Sequence, residues 1–193
     1  MTSAVLPAAT TAVGPHDKRI RAKGTWQGLM RTTVEIRDFS FVVDEPVAVG
    51  GTNSAPTPME FIAGALNGCV GVVVEQVAKE LQLGFTALET YSIATQDTRG
   101  FAGTADVSPF FHSYRLEIHV ETPLDDPATQ QELTKQVHRR CPAINLVESA
   151  GVNLVINWVF ATEVVPGSAE NACNIALGYS PRTAAPVAAG TSA

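Results

Sequence analysis

Thr57-Pro58-Met59-Glu60-Phe61-Ile62-Ala63-Gly64-Ala65-Leu66-Asn67-Gly68-Cys69-Val70-Gly71-Val72-Val73-Val74 is the stretch on which the reading of this chain turns. A threonine N-cap, a proline at the first helical position and a glutamate three residues after the cap form the capping-box pattern that opens a helix. Val72-Val73-Val74 alone favours a strand, but the cap signals and the length of the apolar run outweigh it. The helix is predicted to run to about Leu83, with Gly84 as its left-handed C-terminal residue, about 40 Å at 1.5 Å per residue. Its middle is apolar nearly all round, which predicts burial on all sides. Gly64, Gly68 and Gly71, with Ala65, are tolerable there where another backbone approaches closely.

A helix of this kind needs a sheet to pack on. Tyr114, Leu116, Ile118 and Val120 alternate with Arg115, Glu117, His119 and Glu121, predicting a strand with one apolar and one wet face. Val152, Leu154, Ile156, Trp158 and Phe160 repeat the alternation. Val34, Ile36, Phe39, Phe41 and Val43, punctuated by Asp38, read as two short strands or one bulged strand ending at Pro46. A second helix is expected from Asp126-Pro127, with Leu133, Val137 and Cys141 on one stripe and a break at Pro142. The fold class is therefore α+β, in one domain over 23–165. The Ala-, Thr- and Pro-rich residues 1–22 read as a loose arm, and 166–193 as a mobile tail that carries Cys173.

Composition removes several classes of function. Across 193 residues, 45% are hydrophobic and 17% charged, the balance of an ordinary globular chain. The 13 Lys and Arg residues are scattered among acids and the net charge is -6, so nucleic acid is not an expected partner. Residues 1–7 have neither the charge order nor the apolar core of a secretory signal, and a cytoplasmic location is expected. No membrane span is expected, because Glu60, Asn67 and Glu75 interrupt the one candidate. His16, His112, His119 and His138 do not pair at ligand spacing, and no C-x-x-C occurs, so neither a metal nor a cofactor is expected.

The three cysteines are the chemistry left over. Each, taken alone, has a bland reading, since buried cysteine is common in cores. A reactive Cys69 needs a cation within a few ångströms to offset desolvation, and Arg31 and Arg37 are both candidates on period alone. Cys141, if it caps a short helix opened by Pro142, sits at the positive end of a dipole, which favours a thiolate.

Several motifs come together. Val42-Val43-Asp44-Glu45-Pro46, then Gly50-Gly51-Thr52-Asn53, then Pro56 to Cys69, and later Cys141-Pro142 with a final apolar strand, resemble the OsmC/Ohr family over about Gly24 to Val164. The resemblance implies an intertwined homodimer of α+β chains with long central helices. It also implies reduction of organic hydroperoxides, with Cys69 as the peroxidatic cysteine and Cys141 as the resolving one. Arg31, after Gly28-Leu29-Met30, matches the family's arginine. The family's glutamate stands ten residues before the first cysteine, where this chain has Met59, with Glu60 one step on. The implied reductant is an external dithiol, lipoyl-type or another small one. Two alternatives stand beside this: a non-catalytic OsmC-like dimer binding a small apolar ligand, and a redox sensor. The aromatics Phe101, Phe110 and Phe111 either favour a bulky peroxide or plug a core.

Overall fold

The structure, a computed structural model, describes residues 14–123 and 125–178. Most of the expected arm, and the tail beyond residue 178, lie outside the described residues. The chain divides between Pro58 and Met59 into an N-terminal and a C-terminal unit.

The N-terminal unit is an antiparallel meander of β1 (Lys23–Gly28), β2 (Arg31–Ile36) and β3 (Phe39–Val43), in the order β1-β2-β3. The apolar alternation around Asp38 thus resolves into two strands. Their turn places Arg37 at φ 57°, and the β1–β2 turn places Leu29 and Met30 at φ 47° and 67°, left-handed values that match the twist of paired strands. After β3 the chain is organised by Asp44, which is fully buried. Its carboxylate accepts from the Glu45 amide, from the Thr52 hydroxyl and amide, and from the Ser54 amide and hydroxyl. The Thr52 hydroxyl contributes most to holding this carboxyl well below the usual range. The double glycine has a steric reason: Gly50 lies at φ 100°, and a Cβ on Gly51 would stand 1.9 Å from the Glu45 carbonyl oxygen.

The C-terminal unit contains the core. Helix α1 (Pro58–Glu80) starts at the predicted proline but ends before the predicted residue. Gln82, at φ 56°, adopts the left-handed conformation expected of Gly84. Sheet β4 (Ala87–Gln96), β5 (Phe111–Glu121), β6 (Asn153–Ala161) has the order β4-β5-β6, with β4 antiparallel and β6 parallel to β5. A parallel neighbour requires a crossover, which α3 (Pro127–Arg140) and α4 (Pro142–Ser149) supply between β5 and β6. The short α2 (Thr98–Ala102) connects β4 to β5.

Leu66, Val70, Val74 and Val77 of α1, Tyr114, Leu116, Ile118 and Val120 of β5, Leu133 and Val137 of α3, and Ile144 of α4 form one buried cluster. The Tyr114 hydroxyl donates to the Ala63 carbonyl at 3.2 Å, tying β5 to α1. By length and composition α1 does reach what a membrane crossing needs, with a mean hydropathy of 1.6 over its best window, contrary to expectation. A core helix meets the same measure; here Val70, Val73, Val74 and Val77 raise it from the buried side, and Ile62 and Val72 from the exposed side.

Two expectations are corrected here. Residues 168–176, expected in a mobile tail, form helix α5 (Ser168–Ala176), packed on β4 and β5 with Ala169 and Cys173 fully buried. The face of β5 expected to be wet is therefore dry: Glu117 is 0% and His119 6% exposed. The helix was hidden in the sequence because its start is capped from afar. Glu89 of β4 accepts from the amides of Gly167 and Ala169 at 2.6 and 2.9 Å and from the Ser168 hydroxyl at 3.1 Å.

Candidate thiol site

Cys69 lies in the middle of α1, at the border between the buried row of Leu66, Val70 and Val73 and the exposed row of Ala65, Gly68 and Val72, and is half-buried. Cys141 is fully buried at the junction of α3 and α4, ending the first helix and opening the second. Its amide donates to the Val137 carbonyl at 2.8 Å, and Pro142 occupies the first position of α4, as the sequence predicts. The two elements meet across the core, so that the Cys141 thiol donates to the Cys69 sulfur at 3.6 Å across 72 residues of sequence. All three cysteines are free thiols.

Opposing influences act on Cys141. Burial raises its pKa and prevails, the neighbouring Cys69 sulfur adds to the rise, and the amides of Ile144 and Ala143 at the start of α4 pull the other way. The thiol is therefore held protonated in the resting state. The amides that open α4 are placed to favour negative charge on this sulfur when it forms.

Helix α1 separates Met59 from Glu60. Met59 packs against the core, whereas Glu60 is exposed one residue, about 100°, further round the helix. Arg31 opens β2 in the N-terminal unit, half-buried, and its Nε is buried without a hydrogen-bond partner among the described residues. The other candidate, Arg37, lies with its guanidinium 5.0 Å from the centre of the Phe39 ring. Among the aromatics, Phe111 does plug the core, edge-on to Tyr114, while Phe101 and Phe110 are exposed. No group of three or more His, Cys, Asp or Glu side chains converges to hold a metal among the described residues.

A groove of about 340 Å³ runs along α3, α4 and β6, lined by His138, Ile144, Glu148, Leu154, Ile156 and Trp158 among others. Neither cysteine lines it.

A family model described as OsmC-like protein matches residues 51–157, which takes in α1, β4, β5, the first part of β6, and both Cys69 and Cys141. The chain belongs to the OsmC-like family. Solved OsmC-like structures share its fold. An OsmC-like protein from Mycoplasma pneumoniae aligns with a TM-score of 0.62 at 17% identity, over 74% of this chain and 99% of its own. An organic hydroperoxide resistance protein from Elizabethkingia anophelis aligns with a TM-score of 0.54 at 19% identity, over 78% and 100%. Another, from Legionella pneumophila, gives 0.53 at 17%, over 75% and 97%. No curated protein matches the chain significantly. The OsmC-like match ends before α5, so the helix that dries the outer face of the sheet lies beyond the matched segment.

Sequence reasoning missed two residues that bond beside Cys141, Glu80 and Asn145. Glu80 receives both guanidinium nitrogens of Arg140, and Asn145 donates to two backbone carbonyls beside Cys141. The signal for Asn145 was available, since a proline inside a helical stretch leaves a carbonyl that some other donor must satisfy.

Proposed function

We propose that this protein is a thiol peroxidase that reduces organic hydroperoxides to alcohols. The observation that carries the reading is the pair of free thiols 3.6 Å apart, one half-exposed on a helix and the other buried at a helix start. The Cys69 thiolate attacks the outer peroxide oxygen. The O–O bond breaks, the alkoxide takes a proton and leaves as alcohol, and the Cys69 sulfur remains as sulfenic acid. Cys141 then attacks that sulfur, water leaves and a disulfide forms. An external dithiol reopens it by exchange and is itself oxidised to a disulfide.

The buried position of Cys141 suits a resolving role, because a protonated thiol hidden from solvent does not compete for peroxide. In this reading Arg31 supplies the positive charge that keeps Cys69 nucleophilic, with no glutamate at the position that Met59 occupies. Arg31→Ala is then expected to slow alkylation of Cys69 at neutral pH about tenfold, with Arg37→Ala unchanged. Equal rates in the two variants reject the assignment.

A homodimer belongs to the same proposal. The exposed stripe of α1 is small and apolar, with Ala65 and Gly68 beside Ile62 and Val72 at 47% and 67% exposure. A Cβ on Gly64 or Gly68 would meet nothing within 4 Å among the described residues, so in this reading the close neighbour those residues call for is supplied by a second copy.

The deciding experiment counts free thiols before and after one equivalent of an organic hydroperoxide. Loss of two thiols per chain in the native protein and none in Cys69→Ser supports the peroxidase. No loss in the native protein favours a binding module for a small apolar ligand, for which the groove lined by Ile144, Leu154, Ile156 and Trp158 offers a place.

A further inference from the structure

Cys141 is reached through a break in the chain. In an uninterrupted helix the amide of residue 142 would bond the carbonyl of residue 138, but Pro142 has no N–H to give. The Asn145 side chain fills that vacancy: its Nδ2 donates to the His138 carbonyl at 2.9 Å and to the Cys141 carbonyl at 2.8 Å. The Asn145 amide also donates to the Cys141 carbonyl, at 3.1 Å. With the Cys141 amide bound to Val137, both backbone polar groups of this cysteine are fixed, one by α3 and the other by α4.

The residue before Cys141 carries a second tie. Arg140 grips Glu80 through both terminal nitrogens, Nη2 to Oε1 at 2.9 Å and Nη1 to Oε2. Glu80 is the last residue of α1, the helix that carries Cys69. The pair is partly solvated, with side-chain exposures of 26% for Arg140 and 51% for Glu80. An ion pair of this exposure adds little to stability, so its consequence is geometric: it fixes the end of α3 against α1 in a fork-to-fork arrangement.

We propose that Asn145 and the Arg140–Glu80 pair are positioning elements that hold the Cys141 sulfur within bonding reach of Cys69. The inference rests on the two-cysteine reading above and adds to it the residues that set the effective concentration of one thiol for the other. The kink made by Pro142 leaves the His138 carbonyl without its helical donor and the junction free to swing. The Asn145 side chain supplies that donor and ties it to the Cys141 carbonyl, which already accepts the Asn145 amide, and Arg140 sets the direction in which the kink faces. Disulfide formation needs this precision, because alpha carbons beyond about 7 Å cannot be bridged without backbone movement.

The test equilibrates the full chain with reduced and oxidised glutathione and measures the fraction of Cys69–Cys141 disulfide by mass spectrometry after alkylation. The variants are Asn145→Ala, Asn145→Asp, Glu80→Gln and the exchanged pair Glu80→Arg with Arg140→Glu. Glu75→Gln, which removes only the exposed partner of Lys79, is the control. Asn145→Ala and Asn145→Asp are expected to lower the equilibrium constant for the disulfide about tenfold, since neither retains the amide donors. Glu80→Gln is expected to lower it about threefold, and the exchanged pair to restore it. In a separate reaction with one equivalent of an organic hydroperoxide, which oxidises the Cys69 thiolate to a sulfenic acid and leaves as alcohol, dimedone is expected to capture that sulfenic acid in Asn145→Ala but not in native protein, where Cys141 closes it too quickly.

A native value in Glu80→Gln, or in Asn145→Asp where it folds, overturns the inference, so Glu80→Gln alone keeps it open to refutation if the kink variants fold poorly. Absence of the disulfide in native protein at any glutathione ratio overturns it as well. Glutathione forms the disulfide without peroxide. A chain that pairs its thiols here but ignores hydroperoxide therefore rejects the peroxidase and leaves the positioning elements standing.

Discussion

The two faces of sheet β4-β5-β6 each bury a cysteine completely, and the two cysteines have different surroundings. On the apolar face, Cys141 stands among Val137, Ile144 and the α1 valines with a second sulfur 3.6 Å away. On the polar face, Cys173 of α5 is buried beside charged groups, the Glu117 carboxylate raising its pKa after burial itself and Arg115 lowering it. Glu117 accepts from Arg115 Nε at 2.9 Å and from Asn157 at 2.6 Å, and His119 bonds the Ser168 hydroxyl at 2.8 Å. Burial raises both thiols, so burial does not distinguish a reactive cysteine from an inert one. The difference between the two buried thiols is a sulfur partner, which Cys141 has in Cys69.

The sharpest way to break this contrast is to exchange which thiol is missing. Cys173→Ser is expected to leave the loss of two thiols per chain to hydroperoxide intact, whereas Cys69→Ser abolishes it. Loss of a single thiol in Cys173→Ser would make the third cysteine part of the chemistry and merge the two faces. The next effect is one of stability. Glu117→Ala removes the acceptor for both Arg115 and Asn157 inside a dry interface, which costs roughly 3 kcal/mol in the urea unfolding free energy. A loss under about 1 kcal/mol would mean that the polar face is solvated and α5 only loosely applied.

How much of this was legible in the sequence follows from how local each signal is. The start of α1 is written in Thr57-Pro58 and Glu60, and the apolar side of β5 in its alternation; both were read correctly because the partners lie a few residues apart. The pairing of Cys69 with Cys141 was legible only as a resemblance, since nothing local links residues separated by 72 positions. Helix α5 was not legible at all. Its apolar contribution is little more than Ala169 and Cys173, and its cap is a glutamate on β4, 78 positions before Gly167. The same omission made Arg115, Glu117 and His119 look like a wet face, because without α5 that is what their alternation describes.

The cap on α5 offers a smaller perturbation of the same face. Glu89→Ala leaves the amides of Gly167 and Ala169 without their acceptor, at a cost of about 1.5 kcal/mol. Opening of α5 is then expected to raise the labelling rate of Cys173 by a thiol reagent about tenfold, with labelling of Cys69 unchanged. If Cys69 accelerates equally, the two faces unfold together and the distinction between them is lost.

The smallest effect separates the faces by pH. The folded pKa values of Cys141 and Cys173 both lie above the reference value of 9.0. Below that value folded and unfolded chains alike hold the proton, and the contribution of each thiol to stability is fully present. Above it the unfolded chain loses protons that the folded chain keeps, so stability falls as pH rises until the folded thiols ionise in turn. Each thiol contributes a slope of at most about 1.4 kcal/mol per pH unit within that window. Urea midpoints between about pH 8 and about pH 10.5 are expected to fall less steeply in Cys173→Ser than in native protein. Oxidation of the Cys69–Cys141 pair removes the Cys141 proton from the titration and is expected to remove its share of the slope, while the share of Cys173 persists. A slope unchanged by oxidation but flattened by Cys173→Ser would place all of the alkaline sensitivity on the polar face. Cys141 would then hold its proton no more tightly in the fold than in the unfolded chain, and burial would have to be discarded as the reason it waits for Cys69.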